Sequence, residues 1–223
     1  MKKVLSIIMI MAMFTTGVLA QNNAKRMVTD LPDISVIGNF VNTHSDAKKS
    51  FDVSEVELAL QHYLYPDVKA NVFIGLHKED GKHNVELEEA YVTFADLVGT
   101  LAPNTSFKSG LGFNVGKKLI GLGKLNPLHP EQWTFVDRPI AIAQFFGDHG
   151  LSAEGGQLLY ALPLPFFSQI ELGYWTAAKH EEAEGEAHGV EYSNRLLTAR
   201  SWNSFALAQD KELQIGLNYL GDN

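Results

Sequence analysis

The stretch EVELALQHYLYPDVKANVFIGL, residues 55–76, decides the fold class of this chain. In EVELALQ every second residue is apolar, and VKANVFIGL repeats the same alternation after a short break. Strict period-two alternation predicts a strand that has one apolar face and one polar face. The break contains Pro66-Asp67, a pair typical of tight turns. The stretch therefore predicts a β-hairpin.

The same alternation recurs along most of the chain, notably in residues 107–115, 169–174 and 212–219. One segment departs from it, because Glu86 and Glu88 fit one face while Glu89 falls on the other. A β-bulge at this point would restore the alternation. Counting all segments predicts an all-β antiparallel chain of about nine strands that begins near Asp33.

The N-terminus predicts export from the cytoplasm. Lys2 and Lys3 precede an apolar run that ends in the small-residue site Val18-Leu19-Ala20, as in a secretory signal peptide. We therefore predict a signal peptide in residues 1–20, a periplasmic lead-in in 21–32 and a β domain in 33–223.

Composition excludes several classes of protein. The 223 residues carry a formal net charge of −8 and no cysteine, which argues against nucleic-acid binding and against disulfides. No second apolar run is long enough for a membrane helix. Neither a GxSxG elbow nor an HExxH motif occurs, so we do not expect an enzyme.

Two architectures fit the alternation: a soluble β-sandwich, whose apolar face is a core, and an outer-membrane barrel, whose apolar face meets lipid. The connections at 116–149 and 178–189 are long, and those at 66–67 and 163–165 are tight. Apart from 95–104, long and short connections alternate, and aromatic residues gather beside the tight turns. Both features are typical of outer-membrane barrels with short periplasmic turns. A soluble periplasmic β-sandwich that binds a ligand is left as an alternative.

A family resemblance supports the barrel. The motifs that carry it are Glu88-Glu89-Ala90-Tyr91-Val92, Gly116-Lys117, Gly123-Lys124-Leu125-Asn126, His129, Phe135-Val136-Asp137-Arg138-Pro139 and Leu213-Gln214-Ile215-Gly216-Leu217. From about Leu31 onward the chain resembles porin-like outer-membrane barrel proteins of Gram-negative bacteria, including members labelled zinc-regulated outer membrane receptor. The resemblance implies an outer-membrane location and insertion by the barrel-assembly machinery. The chain departs from the family at Glu131, where members often have a second histidine.

The strand count and the last residues predict a partial barrel. Bacterial single-chain barrels usually have an even number of strands, and an open edge is not tolerated in lipid. The chain stops at Gly221-Asp222-Asn223, without the terminal aromatic that the resemblance implies. We therefore expect the N-terminal part of a larger barrel. Strands that begin near Asp33 leave no room for a plug domain, so we do not expect energised transport.

The predicted function is a channel through which small solutes diffuse passively, with cations favoured. Glu55, Glu57 and Glu171 lie on predicted polar strand faces and would line the pore. Asp137 and Arg138, on the long connection, could pair in the lumen and narrow it. Alternatively, they only close that connection against the wall of the barrel.

Histidines and carboxylates in the predicted extracellular connections raise a second possibility. The candidate metal ligands are His129, His180, Glu182, Glu184 and His188. Imidazole and carboxylate groups bind zinc, although solvated loops also collect them without a metal. The alternative function is therefore a zinc or other divalent-metal uptake receptor. No cofactor is required, Zn²⁺ would be a transported or loop-bound ion, and a homo-oligomer is left open.

Overall fold

The predicted all-β fold is confirmed. The computed structural model describes residues 31–44, 49–79, 82–104, 108–135, 138–147, 149–177, 192 and 195–222. Within these residues, nine strands form one antiparallel sheet in which the spatial order follows the sequence order. The strands are β1 (Asp33–His44), β2 (Lys49–Tyr65), β3 (Val68–Glu79), β4 (Lys82–Phe94), β5 (Leu111–Leu119), β6 (Ser152–Ala161), β7 (Phe167–Ala177), β8 (Leu196–Ala208) and β9 (Lys211–Asp222).

The sheet is open rather than closed. Among the described residues β1 pairs only with β2, and β9 pairs only with β8. Every other strand pairs with the strands that precede and follow it in the sequence, so the whole sheet is a meander. The predicted signal peptide and most of the lead-in lie outside the described residues.

The two faces of the sheet have reversed polarity compared with a soluble protein. One face buries carboxylates and amides from the strands: Glu55, Glu57, Asn71, His77, Glu89, Asn114, Gln157 and Glu171. The opposite face exposes large apolar side chains, such as Leu217, which is 70% exposed, and Tyr219, which is 62% exposed. We refer to the first as the inner face and to the second as the outer face.

The connections differ from the prediction at one end of the sheet. The first and third were predicted as 42–50 and 78–83, but they span only 45–48 and 80–81 because the strands continue further. Cross-strand contacts continue beyond the expected strand ends: the register shifts at Ser54 of β2, Phe40 stacks on Phe51, and Lys78 Nζ lies 2.7 Å from Asp52 Oδ1. The predicted loop 116–149 is the connection 120–151, which joins β5 to β6 at this same end.

The predicted β-bulge in β4 is present. Phe73 of β3 pairs with Glu89, and the next residue, Ile74, pairs with Leu87, so Glu88 is the extra residue. A bulge of this kind shifts the register and restores the alternation on either side of it. It therefore directs consecutive glutamates toward the inner face.

Two short helices lie in the connections: α1 (Leu97–Leu101) and α2 (Ile140–Phe146). The carboxylate of Asp96 caps α1 by accepting a hydrogen bond from the backbone N–H of Gly99, at 3.1 Å. A 3₁₀ turn spans Pro130–Gln132. None of the helices in the described ranges is long and apolar enough to cross a membrane.

The two ends of the connection 120–151 are held together over the inner face. Ile120, Leu122 and Leu151 are buried in an apolar cluster with Trp175 of β7 and Leu196 of β8. The buried amide of Asn126 joins these ends further: its Nδ2 donates to the carbonyls of Ile120 and Leu151, at 2.7 and 3.0 Å, and its Oδ1 accepts from the N–H of Leu151, at 2.9 Å.

Candidate functional site

The connection 120–151 crosses the inner face of the sheet. Near its start, the N–H of Gly123 donates to Asn218 Oδ1, and Lys124 Nζ donates to Gln214 Oε1, each at 3.1 Å. Both acceptors belong to β9. A few residues later His129 reaches the carboxylates of β2 and β4. The connection thus spans the space above the inner face from one side of the sheet to the other.

His129 is enclosed by carboxylates. Its Nδ1 lies 2.7 Å from Glu57 Oε2 and 3.3 Å from Glu88 Oε2, and its Nε2 lies 3.0 Å from Glu89 Oε2. Burial alone would lower the pKa of His129, but hydrogen bonds to Glu57, Glu88 and Glu89 outweigh burial and raise it far above its ordinary value. His129 is therefore an imidazolium that anchors the connection to two strands.

The sheet register explains why these carboxylates meet. Glu57 pairs with Gly75 across β2 and β3, and Gly75 pairs with Glu86 of β4, so all three residues lie on the inner face. The bulge brings Glu88 and Glu89 to the same place. The alternation of β2 and the bulge of β4 together create the acidic surroundings of His129.

A second group of ionisable side chains lies beside the first. His77 Nε2 is 2.8 Å from Glu88 Oε1, and His77 Nδ1 is 4.0 Å from Glu55 Oε1. These three residues line a cavity of about 160 Å³, which His129, Arg138 and His149 also line. The rings of His77 and His149 meet edge to face, with centroids 5.0 Å apart.

The structure places the predicted pore-lining residues as follows. Glu55, Glu57 and Glu171 are buried on the inner face. Arg200 Nη1 lies 3.4 Å from Glu171 and balances its charge, and Gln157 Nε2 donates a hydrogen bond to it at 2.7 Å. Arg138 lines the cavity, with its guanidinium 4.8 Å above the ring of Trp133. Asp137 lies outside the described residues, so its pairing with Arg138 stays a prediction.

Of the predicted metal ligands, only His129 is among the described residues. His180, Glu182, Glu184 and His188 lie outside them, so their metal binding also stays a prediction. His129 converges with Glu57 and Glu131, and their ligand atoms lie within 4.8 Å of one another. The departure at Glu131 therefore leaves an oxygen donor near His129.

Sequence reasoning missed His77, Glu88 and Glu89 as site residues. The sequence did carry a signal for His77. On β3 it lies on the face opposite Ile74 and Leu76, and the hairpin pairs it with Glu55. The glutamates were noticed as an irregularity of the alternation and as part of a family motif, but not as site residues. Their convergence on His129 depends on the path of the connection 120–151, which the strand pattern does not encode.

Comparison with known proteins adds one relative. No family model matches the chain, and no solved structure matches it. An uncharacterized protein from Aquifex aeolicus (strain VF5) is 30% identical over 122 residues, which are 54% of this chain. The aligned part makes up only 22% of that protein, so the chain spans far less than its full length.

Proposed function

We propose that this chain forms part of an outer-membrane β-barrel channel through which small solutes diffuse passively. The observation that carries the proposal is the reversed polarity of the sheet. A soluble protein rarely exposes a contiguous large apolar patch and rarely buries a row of carboxylates. A lipid-facing outer surface with a polar lumen accounts for both features.

The edges of the sheet fit a larger barrel. In lipid every backbone N–H and C=O group needs a partner, so β1 and β9 both require a neighbouring strand. Further strands of the same protein would supply these neighbours and close the barrel. Under this proposal the described sheet is one wall of a wider pore.

The connection 120–151 would limit the size and charge of the solute. It lies over the inner face from β9 to β2 and would narrow the lumen at that level. Carboxylates at Glu55 and Glu88 line the remaining cavity and pair only with histidines in the described residues, whereas Glu86 pairs with Lys117 and Glu171 with Arg200. A ring of fixed negative charge favours cations over anions.

Detergent dependence of the full-length protein tests the membrane location. We expect the protein to fractionate with outer membranes and to leave them only in detergent, because the outer face would otherwise be exposed to water. A periplasmic protein of known solubility serves as the fractionation control. Full solubility without detergent would favour the β-sandwich alternative and overturn the proposal.

Planar-bilayer recording of the full-length protein tests channel function and selectivity. Under a salt gradient, we expect stepwise conductance with a reversal potential on the side of cation selectivity. Anion selectivity would contradict the proposed role of the inner-face carboxylates. A complete lack of conductance, with the protein shown to be inserted and folded, would contradict the channel itself.

A further inference from the structure

We propose that Glu55, His77 and Glu88 form a binding site for one divalent transition-metal ion on the inner face. The three residues come from β2, β3 and β4, and they meet above Gly75. This site is distinct from His180 and His188, which the sequence predicts to be extracellular and which lie outside the described residues. It also does not depend on whether the barrel conducts solutes.

The distances between the donor atoms suit a shared ion. One ligand atom from each residue lies within 4.8 Å of the other two, and His77 Nε2 is 2.8 Å from Glu88 Oε1. Donors that share a tetrahedral zinc ion sit about 2.1 Å from it, and so about 3.4 Å from each other. Glu55 lies slightly further away, with its Oε1 4.0 Å from His77 Nδ1.

The close pair of donors, His77 Nε2 and Glu88 Oε1, is an ion pair that lacks hydrogen-bond geometry. His77 is only 9% exposed, and its Nε2 and Glu88 Oε1 are both buried. Although these atoms are close, neither has a hydrogen-bond partner with acceptable angles in the described part of the chain. A buried ion pair without hydrogen bonds of good geometry recovers only part of the cost of burying its groups, and an ion that both atoms coordinate would satisfy them more fully.

Gly75 allows the side chains of His77 and Glu88 to approach each other closely. A Cβ atom at this position would overlap both Glu88 Oε1 and His77 Nε2. The glycine backbone therefore leaves a space in which the imidazole and the carboxylate converge. The bulge at Glu88 contributes in the same way, because it turns that side chain toward β3.

The nearby charges favour metal binding by Glu55, His77 and Glu88 over metal binding by the group around His129. Glu171, Glu86 and Glu89 lie near arginine or lysine nitrogens. In the described residues, by contrast, Glu55 and Glu88 form ion pairs only with histidines. The neighbouring group contains His129, whose two ring nitrogens both contact carboxylates. His77 is thus better placed than His129 to offer a ring nitrogen to a metal ion.

The donor set selects the class of ion. One imidazole nitrogen and two carboxylate oxygens suit Zn²⁺, Co²⁺ and similar ions, with water completing the coordination. The cavity of about 160 Å³ beside these residues has room for such water.

Calorimetric titration of the full-length, chelator-treated protein with Zn²⁺ tests the site. We expect one site per chain, with affinity at least 10-fold weaker in His77→Gln and Glu88→Gln. Gly75→Ala keeps every ligand but fills the space between them, and it should weaken binding similarly. His83→Gln, which changes an exposed histidine on β4, should bind like the unchanged protein. Titration with Co²⁺ should give an absorption spectrum that changes in His77→Gln.

The outcomes separate this site from the extracellular loop. If a His180→Gln/His188→Gln double variant abolishes binding while His77→Gln and Gly75→Ala do not, the proposal is overturned. Binding that is absent from the unchanged protein overturns it as well. Heat-modifiable migration in gels, measured for every variant, shows whether each is folded, so that loss of binding in a folded variant supports the site.

Discussion

His129 is the single residue on which the docking of the connection 120–151 depends most. It joins this connection to β2 and β4 through carboxylates that are themselves buried. Removing one partner of a buried ion pair leaves the other partner uncompensated, at a cost of about 3–5 kcal/mol. The consequence of losing His129 should therefore be larger than the loss of one contact.

We expect His129→Ala to lower the free energy of unfolding by about 3–5 kcal/mol. Limited proteolysis should also cleave residues 120–151 faster than in the unchanged protein. Urea unfolding in detergent micelles measures the first effect. His83→Ala, at an exposed histidine, should change stability by less than about 0.5 kcal/mol. Equal effects of the two substitutions would show that His129 is not the anchor.

Asn126 holds the two ends of the connection 120–151 together. Asn126→Ala leaves the carbonyls of Ile120 and Leu151 with fewer partners in a buried place, at a cost of about 1–3 kcal/mol. Asn218→Ala removes one exposed hydrogen bond to Gly123 and should cost about 1 kcal/mol or less. Urea unfolding compares the two variants, and a larger loss in Asn218→Ala would contradict the assigned role of Asn126.

At the residue scale, the sequence predicted the face of the sheet on which a residue lies better than it predicted which residues that residue contacts. The alternation of EVELALQ placed Glu55 and Glu57 on the polar face, where the structure has them. That Glu57 holds His129 was not predictable, because the two residues are far apart in sequence and the irregular connection between them follows no period. The family motifs of this connection, above all the one that contains Asp137-Arg138-Pro139, marked it as distinctive.

At the element scale, the pairing of strands is largely local and was therefore readable. Strand type, tight turns and the bulge at Glu88 all follow from period-two alternation and its one interruption. The start of β2 was misplaced because the register shifts at Ser54, so that Phe51 and Val53 continue the alternation out of phase with Val56 and Leu58. The short helices carry no clear pattern and were not predicted.

Helix α1 should respond to acid. The hydrogen bond from the Gly99 N–H outweighs burial and, with contacts from Ser109 and Lys108, holds the pKa of Asp96 below its ordinary value. A lowered carboxyl pKa adds stability above the ordinary pKa of about 3.9, and this stability is lost as pH falls through the lowered value. We expect amide protection in 95–110, corrected for intrinsic exchange, to fall at low pH.

The matched variant for this prediction is Asp96→Asn, which keeps a cap acceptor but cannot ionise. Its protection should be lower at neutral pH and nearly independent of pH below about 5. Hydrogen–deuterium exchange read by mass spectrometry measures both proteins. If Asp96→Asn retained the acid response, the carboxylate of Asp96 would not be its origin.

At the scale of the whole molecule, selectivity should depend on which face carries a charge. Glu55→Gln removes a carboxylate from the inner face, whereas Glu154→Gln removes one from an exposed position on the opposite face of β6. In chelator-treated buffer, we expect the cation-to-anion permeability ratio to fall in the first variant and to stay unchanged in the second. Reversal potentials in planar bilayers measure the ratio. Equal shifts in the two variants would show that the inner face does not determine the selectivity.

The meander also has a consequence for folding. Because every strand pairs with its sequence neighbour, each hairpin can form as soon as its own residues are available, at a small cost in loop closure. The contacts of Gly123 and Lys124 with β9 span 95 and 90 residues, so they close last. Folding should therefore end in a slow docking phase of the connection 120–151, well after the sheet itself has formed.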